Sequence, residues 1–188
     1  LVDLLICDCL ATSTTRAWHI ITDQMSVWAS AAKSFVPDTL EQLINRLPAI
    51  LGSRFFLREE LADGLFQKIY RDIPIVSVFE GSSNAQLHGI ALQLRQLLQP
   101  RETHSDELKD RLRRIFSLQE PITQFIDAEA IELHNHGRND ALQGLDQSMS
   151  LLSHFSHPRK DEIASLIEEL IDQVDVLRRD FEESRRQL

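Results

Sequence analysis

Two cysteines, two methionines, one tyrosine, six glycines and six prolines are all that this 188-residue chain carries of those residues. So little glycine and proline leaves scant material for hairpins and tight turns, which counts against an all-β fold. Cys7 and Cys9 are two residues apart. On a helix they point to different faces, so they do not read as a disulfide framework, and a reducing, cytoplasmic setting suits them. Positive charge is in deficit: 20 Lys and Arg face 29 Asp and Glu, a formal charge of −9. That is the wrong sign for a surface that binds nucleic-acid phosphates. No apolar run approaches the ~20 residues of a transmembrane helix, and no secretory signal is visible.

Apolar periodicity is what the chain does have. Hydrophobic residues make up 43% of it, and long stretches with apolar positions three and four apart predict an all-α protein. A first helix is expected over 1–22. It starts at Leu1 in the middle of an apolar pattern with no N-cap before it, so we expect an N-terminal portion to precede it. Asp23 is a plausible N-cap for a second helix over 24–51, which contains Pro37 and Pro48 and therefore either kinks or divides. Gly52-Ser53 would end it as a C-cap. A short helix over 59–72 would be broken by Pro74. Ile75 to Phe79 could pass for a strand, but a lone strand has no ladder partner, so a buried helical turn or an extended linker is expected. Glu80-Gly81-Ser82-Ser83 is then a turn into a helix over 83–98.

Pro100 to His104 is the expected domain boundary, dividing an antiparallel helical bundle over 1–98 from a second helical unit over 101–188. Four amphipathic segments are expected in the second unit, near 105–117, 120–135, 139–155 and 159–186. Ser105 and Asn139 would act as N-caps. The last segment has the clearest stripe, from Ile163 through Ile167, Leu170 and Val174 to Phe181. No heptad is long enough for an independent coiled coil.

Three stretches resemble a known family. Tyr70 to Gln86 reads YRDIPIVSVFEGSSNAQ. It is similar to the acyl-CoA dehydrogenase signature, in which an Arg-Asp pair, an apolar linker and an aromatic-Glu-Gly-Thr/Ser turn lead into a helix with Gln in its first turn. Ala29-Ser30-Ala31-Ala32-Lys33 resembles the family's Ala-x-x-Ala-Lys helix, and Ile50-Leu51-Gly52-Ser53 its Ile-Leu-Gly-Gly. Their order and spacing match over roughly residues 1–98.

The resemblance implies a C-terminal helical domain of a flavin enzyme that removes the α-proton of an acyl-CoA thioester while the β-hydride moves to FAD. Glu80 matches the catalytic base, because a desolvated carboxylate is raised toward the working range. Its backbone N–H would help polarise the thioester carbonyl, as an oxyanion hole does. Gly81 would let the substrate approach. Ser82, Ser83 and Asn84 would touch the flavin, and Gly52 and Ser53 would approach the dinucleotide of a neighbouring subunit. Gln86 is a weaker candidate. The implied partners are acyl-CoA, an electron-transfer flavoprotein or similar acceptor, and further copies of the chain in a dimer or tetramer. Without the family's N-terminal helical and central β-domains, this chain alone is not expected to catalyse. The competing reading is a non-catalytic helical assembly module derived from the same family.

The residues also have plainer readings. Glu80-Gly81-Ser82 taken alone is an ordinary helix entry, and Arg71-Asp72 an ordinary surface ion pair. Four departures bear on the grip: Ser53 replaces the second glycine, Ala49 (beside Pro48) a Gln, Phe55-Phe56 a Gly-aromatic pair, and Leu92 an Arg. His134, His136, His154 and His157 lack the spacing and the carboxylate frame of a metal site. Trp18, Trp28 and His19 are expected to fill core or interface. Arg111, Arg113 and Arg114 are expected on a solvated face. The tail could cover the active-site region, make subunit contacts or dock its last helix back on the same chain.

Overall fold

The computed structural model describes residues 1–59, 62–79, 81–99, 106–123, 125–126, 128–131, 137–145, 149, 152 and 156–186. Among them there is no strand. The principal helices are α1 (Val2–Ile20), α2 (Met25–Leu51), α3 (Leu65–Val76), α4 (Ser83–Leu97), α5 (Asp106–Phe116), α6 (Asp140–Gln143) and α7 (Lys160–Arg186). Ser105, His134, His136 and His154 lie outside the described residues.

Cross-helix contacts fix the directions. Cys7 Sγ faces the Val36 carbonyl oxygen at 4.0 Å, while Ala17 shares a core with Met25 at the other end, so α1 and α2 are antiparallel. Ser83 bonds to Asp38 and Gln93 to Ser26, so α4 is antiparallel to α2 as well. The core sits at the α1–α2 corner, where Ala17, Ile20, Ile21, Met25 and Ile115 are buried together. Ile115 belongs to α5, so a helix from beyond Pro100 completes the core of the helices before it.

Pro37 and Pro48 both lie inside α2, which remains one helix. Each proline forfeits the bond to the carbonyl four residues back, at Lys33 and Ile44. Burial of Pro37 and Ile44 against the neighbouring helices offsets part of that loss. Pro74 does not break α3 either: the helix runs through it to Val76. Ile75 and Val76 are therefore helical, and Val78 and Phe79 form a turn. That turn is not buried, since Ile75, Val78 and Phe79 are 58%, 65% and 62% exposed.

Asp23 is not the N-cap of α2. It lies in a short 3-10 turn, Thr22–Gln24, and takes Arg111 at 3.1 Å and Arg138 at 2.9 Å. Arg111 also donates to the Ile20 carbonyl, at 3.2 Å from Nε and 3.0 Å from Nη2. Arg16 of α1 does the reverse for α5, donating to the carbonyls of Arg114, Ile115, Ser117 and Glu120 at 2.6 to 3.0 Å. Each guanidinium thus satisfies carbonyls that a helix end leaves without donors. Arg111 is consequently held in the structure and not on a solvated face.

Part of the expected 120–135 segment is not helical: residues 121–123 carry no regular structure, and a 3-10 turn covers Ala128–Ala130. In the expected 139–155 segment α6 is one turn long, and Leu145, Met149 and Leu152 beyond it are also helical. Asn139 does cap α6, accepting from Leu142 N at 2.9 Å. The segment is seated by a buried polar network. Asp140, 4% exposed, is bonded by the Gln24 side-chain amide and by both arms of Arg138. Gln143 Nε2 donates to the Gln96 carbonyl at 2.9 Å. Gly137 N donates to Gln93 Oε1 at 3.1 Å.

Candidate functional site

The turn between α3 and α4 is tied to α2 on both sides. Before it, Lys33 Nζ donates to the Val76 carbonyl at 2.5 Å. Ser77 Oγ shares its one hydroxyl hydrogen between the Pro74 carbonyl at 2.9 Å and Glu41 Oε2 at 3.2 Å. After it, Ser83 Oγ donates to Asp38 Oδ1 at 2.7 Å. Bonds with a charged partner are stronger than neutral ones, and here three charged residues of one long helix hold the two ends of one short turn.

Glu80 itself lies outside the described residues. Its neighbours are placed. Gly81 has φ +102°, and a Cβ there would meet the Gln86 side-chain nitrogen at 2.9 Å. Ser82 is the N-cap of α4, its hydroxyl accepting from Ala85 N at 3.4 Å. Asn84 is exposed in the first turn, where amide groups have no partner within the helix. Ser82 keeps its hydroxyl hydrogen to donate, and Ser83 keeps oxygen lone pairs to accept. The turn therefore offers hydroxyl and amide groups to a polar ligand.

Gly52 ends α2 with φ 58° and ψ −133°. Nothing lies within 4 Å of where its Cβ would be, and Ser53 beside it is exposed. This open backbone suits a close approach. It is not near the turn, however. Gly52 lies fourteen residues beyond Asp38 on α2, about 21 Å along the axis at ~1.5 Å per residue. One copy of the chain does not bring the two groups together around one ring system.

Phe55 and Phe56, which stand in place of the expected Gly-aromatic pair, build an aromatic cluster. Phe55 meets Phe56, Phe66 and Tyr70 edge-on, with centroids 5.0, 5.7 and 5.2 Å away. Asp72 pairs with Lys68 one turn back, at 2.5 Å, and not with Arg71. Leu92 is exposed on α4.

Residues 8–94 match the family model for the acyl-CoA dehydrogenase C-terminal domain. Over these residues, a little under half of its length, the chain is similar to that family. The acyl-CoA dehydrogenase match covers the turn before α4 and most of α4, ending at residue 94 and short of α5. No curated protein and no solved structure matches the chain.

Two further features lie outside the turn. A groove of about 570 Å³ runs between α1 and α2, lined by Ala11, Thr15, Trp18, Ala32 and Pro37 among others; none of the expected flavin-contact residues lines it. Among the described residues no group of histidines, cysteines and carboxylates could hold a metal, and no helix is long and apolar enough to cross a membrane.

Lys33, Asp38 and Glu41 escaped sequence reasoning as supports of the turn. Lys33 ends the Ala29–Lys33 motif, which was a usable signal. Asp38 and Glu41 look like ordinary exposed helix carboxylates until α3 and α4 are packed on them.

Proposed function

We propose that this chain is the C-terminal helical part of an FAD-dependent acyl-CoA dehydrogenase, in which Glu80 removes the α-proton of an acyl thioester. The observation that carries this reading is the family match across residues 8–94, which includes the Glu80-Gly81-Ser82 turn clasped by α2. FAD, when bound, supplies the acceptor for the hydride that leaves the β-carbon.

The chain's own residues prepare the other half of the reaction. Lys33, Asp38 and Glu41 of α2 contact Val76, Ser77 and Ser83, the described residues on either side of Glu80. Gly81 keeps a side chain from standing between base and substrate. The Ser82 hydroxyl hydrogen, the Ser83 oxygen and the Asn84 amide meet the polar edge of the flavin. Gly52 and Ser53, so far from the turn, serve the dinucleotide of a second copy, which calls for a dimer or tetramer. Residues 101–188 form an extension fastened to the 1–98 bundle. Acyl-CoA is the substrate, and an electron-transfer flavoprotein or similar acceptor receives the electrons.

One departure favours a second reading, a non-catalytic assembly module: Ser53 puts a side chain where the family's second glycine lets the dinucleotide approach. Flavin separates the two. The visible spectrum of the full-length protein should show bound flavin if it is an enzyme. Acyl-CoA should then bleach it, and Glu80→Gln should slow bleaching at least 100-fold, in the range general-base removal gives, while the bound-flavin spectrum is retained. Bleaching at the wild-type rate removes Glu80 from the mechanism, and a colourless full-length protein favours the assembly module.

A further inference from the structure

The α7 helix lies wholly beyond the segment that matches the family. It carries two apolar stripes, and only one is used. Ile163, Ile167, Ile171, Val174 and Phe181 form the first. They are half-buried or buried, and Arg178 of the same side donates to the Leu98 carbonyl at 2.7 Å. The second stripe is the adjoining ridge of Leu166, Leu170 and Leu177, spaced by four and seven residues so that they stand on one line of the helix. These side chains are 65%, 45% and 50% exposed. Three leucines in line, interrupted only by Gln173 between Leu170 and Leu177, left in water on an otherwise strongly charged helix mark an interaction surface.

The charge pattern along the helix says what covers it. From Lys160 to Val176 the helix has six carboxylates and one lysine; from Leu177 to Arg186 it has four arginines and three carboxylates. A parallel copy would set the acidic half on the acidic half. An antiparallel copy sets the acidic half against the arginine-bearing half, twice, and opposes the two helix dipoles. It also places Leu166 of each copy opposite Leu177 of the other. The self-complementary arrangement closes as a two-fold dimer, with no free end to polymerise.

We propose that the Leu166–Leu170–Leu177 ridge of α7 is a homodimer interface, in which two copies pair their last helices antiparallel. The proposal does not depend on flavin or on Glu80. Light scattering coupled to gel filtration of the 188-residue chain should give twice the chain mass. The double change L166E/L177E should return it to one chain mass with an unchanged far-UV spectrum. L5E, in a different exposed apolar patch, should leave the dimer intact. Orientation is read by oxidation in a C9S background. L166C mixed with L177C should cross-link. L166C alone should not, because its two copies would be about 16 Å apart along the antiparallel axes. A chain that is monomeric at tens of micromolar overturns the proposal. So does dissociation by L5E but not by L166E/L177E, or cross-linking of L166C to itself, which would mean a parallel pair. If the ridge cysteines of the monomer resist a thiol reagent, the chain covers the ridge with its own residues, and the proposal also fails.

Discussion

A methyl group at position 137 would arrive 2.7 Å from the Gln93 carbonyl oxygen and 2.8 Å from the Leu97 amide nitrogen, and helix backbone cannot move aside for it. With φ +71° as well, Gly137→Ala should destabilise the chain by about 2–3 kcal/mol, read from urea unfolding. Gly52→Ala has an unfavourable φ but open space around it, so about 1–2 kcal/mol is expected. Equal losses would show that contact with α4 is not what holds residue 137. The two cysteines differ in a way that can be checked directly. Burial is the main force pushing the Cys7 thiol above its ordinary range, with Asp3 adding to it and Thr39 opposing; Cys9 is exposed. Folded Cys7 therefore stays protonated when the unfolded chain has begun to ionise. Its contribution to stability is complete below the ordinary thiol range and is lost as pH rises through the elevated value. A thiol reagent at pH 8 should modify Cys9 at least tenfold faster than Cys7, as the thiolate is the reactive form; equal rates would contradict the burial. At this scale the candidate turn was legible because its residue order is distinctive. Its tethers were not, because Asp38 and Glu41 gain meaning only when Ser83 and Ser77 arrive from other helices.

Helices α1 and α5 close each other's last turns through Arg16 and Arg111. Arg16→Gln leaves several carbonyls short of a donor at the end of α5 and should cost about 2 kcal/mol, seen as a lower Tm. Lysine should recover only part of that, since one ammonium cannot reproduce a planar fork. An unchanged Tm in Arg16→Gln would mean that water replaces the guanidinium without loss. Helix existence was readable from apolar spacing for α1, α2, α4, α5 and α7, because each buries one stripe. The errors fell at Pro74, which was expected to break α3, and in the 120–135 segment. Pro37, Pro48 and Pro74 sit inside helices that tertiary packing holds together, against what a proline does in isolation. The 120–135 segment has the apolar content of a helix, but its start is fastened through the Glu120 carbonyl to Arg16, and residues 121–123 do not form one. Asp23 had the right chemistry for a cap and is used instead by two arginines that sequence places about ninety and more residues away.

Among the described residues the buried core is small and the exposed apolar area large. Leu1, Val2 and Leu5 at the start of α1, Val78 and Phe79 at the candidate turn, and the α7 ridge are all open. In the proposed function the first two meet other parts of a dehydrogenase, and the third meets a second copy. Fully buried Ile115 ties the extension to the bundle. Ile115→Ala should lower stability by about 3 kcal/mol in a single unfolding transition; two transitions, with only one shifted, would mean that the extension melts separately. The reciprocal arginine pair has a corollary for a severed chain. Guanidinium groups on either side of position 100 grip main-chain oxygens on the opposite side, so the peptide link between them carries little of the attachment. A protease site inserted there and cut should yield two pieces that migrate as one particle and come apart only in denaturant, the behaviour of a split protein whose halves find each other unaided.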